Sequence, residues 1–146
     1  MASVQERVPS GLATMRVLSI DDEPMMSALI ATSLRRQAIV TAALSLDEAL
    51  VLLRDSTFDA IICDLNLGHG GGAIELHAHL TAHAPELAAS LIITSGGGLT
   101  AAQCRFLDTM RPRVLDKPFQ PAALRAAVTT FARGSNRGIV PTLDLR

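Results

Sequence analysis

A chain of 146 residues, 49% hydrophobic and 18% charged, is long enough for one domain with a real core and too apolar to stay disordered. Its net charge of −1, with the signs interspersed, offers no basic stripe for nucleic acid and no polybasic patch for a membrane surface. No apolar run approaches a membrane span, the opening MASVQERVPSGLATM lacks the apolar core of a secretion signal, and Cys63 and Cys104 form no CxxC arrangement. A soluble protein of the reducing cytoplasm is the expectation. Short β-type runs alternate with helical stretches along the chain. RVLSI (Arg16 to Ile20), IVTAA (Ile39 to Ala43), AIIC (Ala60 to Cys63), LIIT (Leu91 to Thr94) and RVLD (Arg113 to Asp116) read as strands. The central runs are continuously apolar, as parallel strands covered on both faces must be.

A helix follows each strand, with a start signal for most. Pro24 suits the first helical position, where a missing N–H costs nothing. SLDE (Ser45 to Glu48) and TAAQ (Thr100 to Gln103) fit capping boxes. The third helix, about Gly72 to His83, offers Ile74, Leu76 and Leu80 to the core, and the last runs from Pro121 to a left-handed cap at Gly134. These repeats predict a doubly wound α/β domain with a five-stranded parallel sheet in the order 2-1-3-4-5. It occupies residues 15–133, flanked by segments 1–14 and 134–146, which carry no periodicity and are expected to be flexible.

In such sheets functional groups gather past the carboxyl ends of the strands. Asp21 and Asp22 end the first strand, Asp64 the third, Ser95 the fourth and Lys117 the fifth, so these side chains are predicted to share one sheet edge. Clustered carboxylates must protonate, attract a cation or destabilise the fold. An all-oxygen cluster suits Mg²⁺, a hard ion that accepts few carboxylates and keeps room for phosphate oxygens. A lysine and a hydroxyl facing it can hold a phosphoryl group, and a carboxylate can be the nucleophile. Asp64 is then the natural acceptor, with Asp21 and Asp22 holding the metal.

The set IDDEP, IICDLNLGHGGG, IITSGGG and VLDKPF, each ending a strand and in this order, resembles the receiver domain of two-component response regulators over about Arg16 to Ala132. The stretch from Ser95 to Val128 is further similar to receivers attached to hybrid histidine kinases. The resemblance implies a (βα)₅ flavodoxin-like receiver that takes a phosphoryl group onto Asp64 from a sensor histidine kinase or a histidine phosphotransfer protein. It implies that Asp22 and Asp64 bind Mg²⁺ directly, Asp21 mainly through water, and the main-chain carbonyl of Asn66 as the remaining protein ligand. Ser95 would reorient onto the phosphoryl group, Lys117 would ion-pair with it, and Lys117–Pro118 would be a cis peptide. A stand-alone receiver of this kind signals by docking a downstream protein or shuttling the phosphoryl group, as a monomer or weak dimer, and is not a turnover enzyme.

Three departures from the family pattern stand out. Gly68 replaces a frequent proline within GHGGG, which predicts a mobile loop beside the site. Val114 stands where many receivers carry an aromatic ring, so a switch would have to run through the SGGGLT loop and the helix after it. Thr94 adjoins Ser95, and the separation from Lys117 favours Ser95. Two rival readings are a degenerate receiver that binds partners without phosphorylation, and a small metal-dependent phosphohydrolase, which needs a substrate pocket that these short loops do not obviously supply. His77, His79 and His83 read as an exposed helix face, Cys63 as a small core residue, and SGGG without GxxxxGK[ST] as no nucleotide loop.

Overall fold

The computed structural model describes residues 14–68 and 71–134. The flanking segments expected to be flexible therefore lie outside the described residues except for Thr14 and Gly134, as do His69 and Gly70 of the glycine loop. The chain runs β1 (Met15–Ile20), α1 (Pro24–Leu34), β2 (Ala38–Ala43), α2 (Leu46–Asp55), β3 (Ala60–Asp64), α3 (Ala73–His83), α4 (Pro85–Ala88), β4 (Leu91–Ser95), α5 (Ala101–Met110), β5 (Val114–Asp116) and α6 (Pro121–Phe131). All the strands are parallel, in the order β2-β1-β3-β4-β5, as the repeat pattern predicts.

Alternation along the strands sends neighbouring residues to opposite faces. Leu18, Ile61, Ile93 and Val114 pack with Ala49 of α2, Leu76 and Leu80 of α3, and Leu107 of α5. Val17, Ile62 and Ile92 pack with Ile30 and Leu34 of α1 and Leu124 and Val128 of α6. Both faces being covered, Ile61, Ile62, Ile92 and Ile93 are almost fully buried, which explains the unbroken apolar runs. No helix among the described residues is long and apolar enough to cross a membrane.

Local signals place the helix starts closely. Pro24 and Pro121 open α1 and α6. At α5 the Thr100 hydroxyl accepts the Gln103 N–H (3.1 Å) and the Gln103 carboxamide oxygen accepts the Thr100 N–H (3.0 Å), a complete capping box. At α2 the Ser45 hydroxyl accepts the Glu48 N–H, but the Glu48 carboxylate reaches one residue further back, to the Leu44 N–H at 2.9 Å. The expected box is therefore half formed, with Leu44 in place of Ser45 as the second donor.

Two details depart from expectation. The short α4 adds a helix between α3 and β4. The last helix ends at Phe131, short of Gly134: Ala132 turns extended (φ −64°, ψ 148°) as the Arg133 N–H bonds the Asp59 carbonyl oxygen, and Gly134 takes φ +82° beyond the turn. Asp59 also accepts the Arg16 N–H on its carboxylate (2.8 Å) and donates its own N–H to the Arg16 carbonyl (2.7 Å). It thus pins the start of β1 and the end of α6 together ahead of β3.

Gly72, just before α3, is required by contact. A Cβ there would stand 2.2 Å from the Leu65 carbonyl oxygen, a backbone atom that cannot step aside cheaply. Gly72→Ala is expected to lower stability by roughly 1–3 kcal/mol, the usual cost of forced overpacking, read as a lower urea midpoint at unchanged slope.

Candidate functional site

The carboxyl ends of β1, β3, β4 and β5 meet at one edge of the sheet, and main-chain bonds register the residues just beyond them. The Asp21 N–H bonds the Ala43 carbonyl (3.1 Å), the Leu65 N–H the Thr94 carbonyl (2.8 Å), and the Lys117 N–H the Ser95 carbonyl (2.7 Å). Lys117–Pro118 is cis, as is Arg111–Pro112. This scaffold brings Asp21, Asp22 and Asp64 together, with one carboxylate oxygen of each within 4.8 Å of the others. The Lys117 ammonium bridges them, donating to Asp21 Oδ2 at 3.3 Å and to Asp64 Oδ2 at 3.2 Å.

The carboxylates differ in environment. Asp21 is buried and its Oδ1 accepts the Glu23 N–H at 2.9 Å, fixing the turn into α1. Asp22 is exposed and Asp64 half-buried. Burial pushes the Asp64 carboxyl above its ordinary range, only partly offset by Lys117, and Asp21 adds repulsion. Burial acts to lower the Lys117 ammonium, but attraction first to Asp64 and then to Asp21 overcomes it and holds the ammonium above its ordinary value. The site is short of positive charge.

The donor set fits a hard divalent cation. It is oxygen only, it converges, and one acid faces solvent while another is buried against a compensating lysine.

The hydroxyls stand differently. Ser95 and Thr94 are both buried, and Ser95 Oγ donates to the Gly96 carbonyl oxygen (3.2 Å) instead of reaching the acids. The Asn66 side chain also bonds away from the acids, its Oδ1 accepting from Gln103 Nε2 of α5 at 2.7 Å, whereas its main-chain N–H donates to Asp64 Oδ1 at 3.4 Å. The sequence pattern marked Gln103 only as a helix cap; its second partner lies 37 residues away and no local signal points to it.

Gly68 has φ +72°, and a Cβ there would sit 3.3 Å from Asp22 Oδ2. Proline, fixed near φ −65°, cannot take that conformation, so the loop follows a path of its own. Val114 opens β5 beside Ile93 of β4 and is buried in the core, only 8% exposed. Among the histidines, His79 and His83 are exposed, whereas His77 is half-buried with its ring edge-on to Phe106 (5.6 Å), and burial followed by Arg113 holds its imidazole below the ordinary range. Cys63 is fully buried; burial, then Asp64 and Asp21, push its thiol far up, so it is a core group without nucleophilic character.

A family model described as the response regulator receiver domain matches residues 17–129. The receiver domain of the Francisella response regulator 1452 superposes with a TM-score of 0.67 at 24% identity, covering 86% of this chain and 99% of its own. A CheY-like receiver from Methanospirillum hungatei gives 0.69 at 19% identity (81% and 93% covered). The receiver domain of NtrX from Brucella abortus gives 0.64 at 23% identity (78% and 98%). No curated protein is similar enough to count as a relative. The match over most of the chain, on a sheet whose edge gathers three acids and a lysine, makes this chain a member of the response regulator receiver domain family.

Proposed function

We propose that this receiver accepts a phosphoryl group on Asp64 from the phospho-histidine of a sensor histidine kinase or a histidine phosphotransfer protein, and signals by docking a downstream protein or shuttling the group onward. The observation that carries the reading is the Lys117 ammonium shared between Asp64 and buried Asp21 inside a three-carboxylate cluster. A structural surface salt bridge needs no third acid and no buried one.

In this reading an Asp64 oxygen attacks phosphorus and the phosphorus–nitrogen bond of the donor imidazole breaks. The bonding pair stays on that nitrogen, and the product is an acyl phosphate on Asp64. Asp22 and Asp64 would bind Mg²⁺ directly, Asp21 through water, and Asn66 through its main-chain carbonyl; when bound, Mg²⁺ neutralises charge that carboxylates and phosphoryl oxygens would otherwise place against each other. Lys117 exchanges its Asp64 oxygen for a phosphoryl oxygen, keeping its hold on Asp21. Ser95, ahead of Thr94 by its position beside Lys117, turns its hydroxyl from the Gly96 carbonyl to a phosphoryl oxygen. Gly96 and Gly97 have no neighbour within 4 Å of a Cβ position, so the loop has space to follow, and this supports a switch that runs through α5 without an aromatic at Val114.

Acetyl phosphate, a small acyl-phosphate donor, should label the protein in the presence of Mg²⁺, and chelation with EDTA should bring labelling to background. Labelling indifferent to EDTA would reject the metal-assisted reading.

A further inference from the structure

The Gln103 carboxamide has a fixed orientation. Its oxygen must face the Thr100 N–H, because only an acceptor completes the α5 cap, and this turns its NH₂ toward Asn66. Asn66 must then present its oxygen, as it does at 2.7 Å. A single half-buried side chain therefore spans from the loop two residues past Asp64 to the first turn of α5. Severing this link frees Asn66, whose main chain borders the acid cluster through its N–H at 3.4 Å from Asp64 Oδ1.

We propose that Gln103 is a positioning residue: by holding the Asn66 side chain against the N-terminus of α5, it makes the acceptor loop and α5 move as one unit when the site is filled. The proposal rests on the receiver reading above and adds to it the route by which the chain transmits occupancy. A ring buried or released at the Val114 position is then unnecessary, because the coupling is a hydrogen bond from the acceptor loop itself. Asn66 and Gln103 face each other outside the core, so the bond can respond to loop movement without repacking the interior.

Gln103→Glu isolates this role. Its carboxylate still accepts the Thr100 N–H and favours the positive end of the helix, so α5 keeps its cap, but the donor to Asn66 is gone and two oxygens are opposed. Asn66→Ala cuts the same link from the other side. Hydrogen exchange is followed in the full chain with and without Mg²⁺ and beryllofluoride, an acyl-phosphate mimic, at the Gln103 and Cys104 amides, which bond Thr100. In the wild type, filling the site should raise protection there. In either variant that gain should shrink about fivefold, the worth of one neutral hydrogen bond, with no further loss in the double variant. A gain of equal size in Gln103→Glu and wild type overturns the proposal, as does a double variant whose losses add. Absence of any wild-type response at the Leu65 and Asn66 amides overturns the receiver reading and the proposal with it, a pattern distinct from a response at the loop that reaches α5 in every variant.

Discussion

Asp64→Asn should reduce phosphoryl labelling by acetyl phosphate with Mg²⁺ to background while leaving the protein folded. The amide has the shape of the carboxylate and can still accept from Lys117 through its oxygen, but it has no ionised oxygen with which to attack phosphorus. The stability effect runs the other way from most core substitutions. The Asp64 carboxyl is held above its ordinary range, so the folded state binds its proton more tightly than the unfolded chain does, and ionisation at neutral pH costs stability. A neutral amide removes that cost, and without metal the variant should melt no lower than the wild type at neutral pH. Its advantage should shrink as pH falls through the folded-state pKa of Asp64, because the wild type then protonates and recovers the same stability. Intact-mass detection of the phosphoryl adduct, paired with melting curves across pH, checks both halves; undiminished labelling in the variant would show that another group is the acceptor.

Lys117→Ala carries the second large effect, this time on stability and coupling together. Lys117 is the cation shared by Asp21 and Asp64, and Asp21 is buried, so its removal leaves a carboxylate pair without compensation. Breaking a fully buried pair costs about 3–5 kcal/mol; with the lysine side chain one-fifth exposed, roughly 1–3 kcal/mol at neutral pH is expected. Lys117 sits above its ordinary value in the folded state, so its contribution is fully present below the unfolded pKa of about 10.4 and is lost as pH rises through the folded one. Without the lysine the Asp64 carboxyl binds its proton more tightly still, so the deficit should narrow as pH falls toward the acid range and as Mg²⁺ is added at neutral pH. Urea midpoints over pH, with and without Mg²⁺, test this, and a deficit constant across all conditions would contradict it. The variant should also lose any dependence of partner binding on phosphorylation.

The acids and the lysine were legible because each lies within two residues of the end of an apolar run, and the strand order then brings those ends together whatever the loops do. Asp21, Asp22, Asp64 and Lys117 are therefore written in the local pattern plus one topological rule. Ser95 was legible as a position but not as an orientation: its hydroxyl satisfies itself on Gly96, a choice made by one rotatable bond. Gln103 was read as a cap because its partner Thr100 is near in sequence, while Asn66 is brought beside it only by folding. The same limit explains His77, which shares its spacing with exposed His79 and His83 but meets Phe106 of α5. It also explains α4, too short at Pro85–Ala88 to show a period, and the end of α6, decided by Asp59 and not by the glycine that follows.

Asp59 has a consequence for how the domain can be joined to other things. Because it fastens Arg16 and Arg133 at the amino-end pole of the sheet, the folded polypeptide enters and leaves on the side away from the acids. A module or label spliced at Arg133 starts out from that far pole, so the mouth of the pocket stays open to a donor.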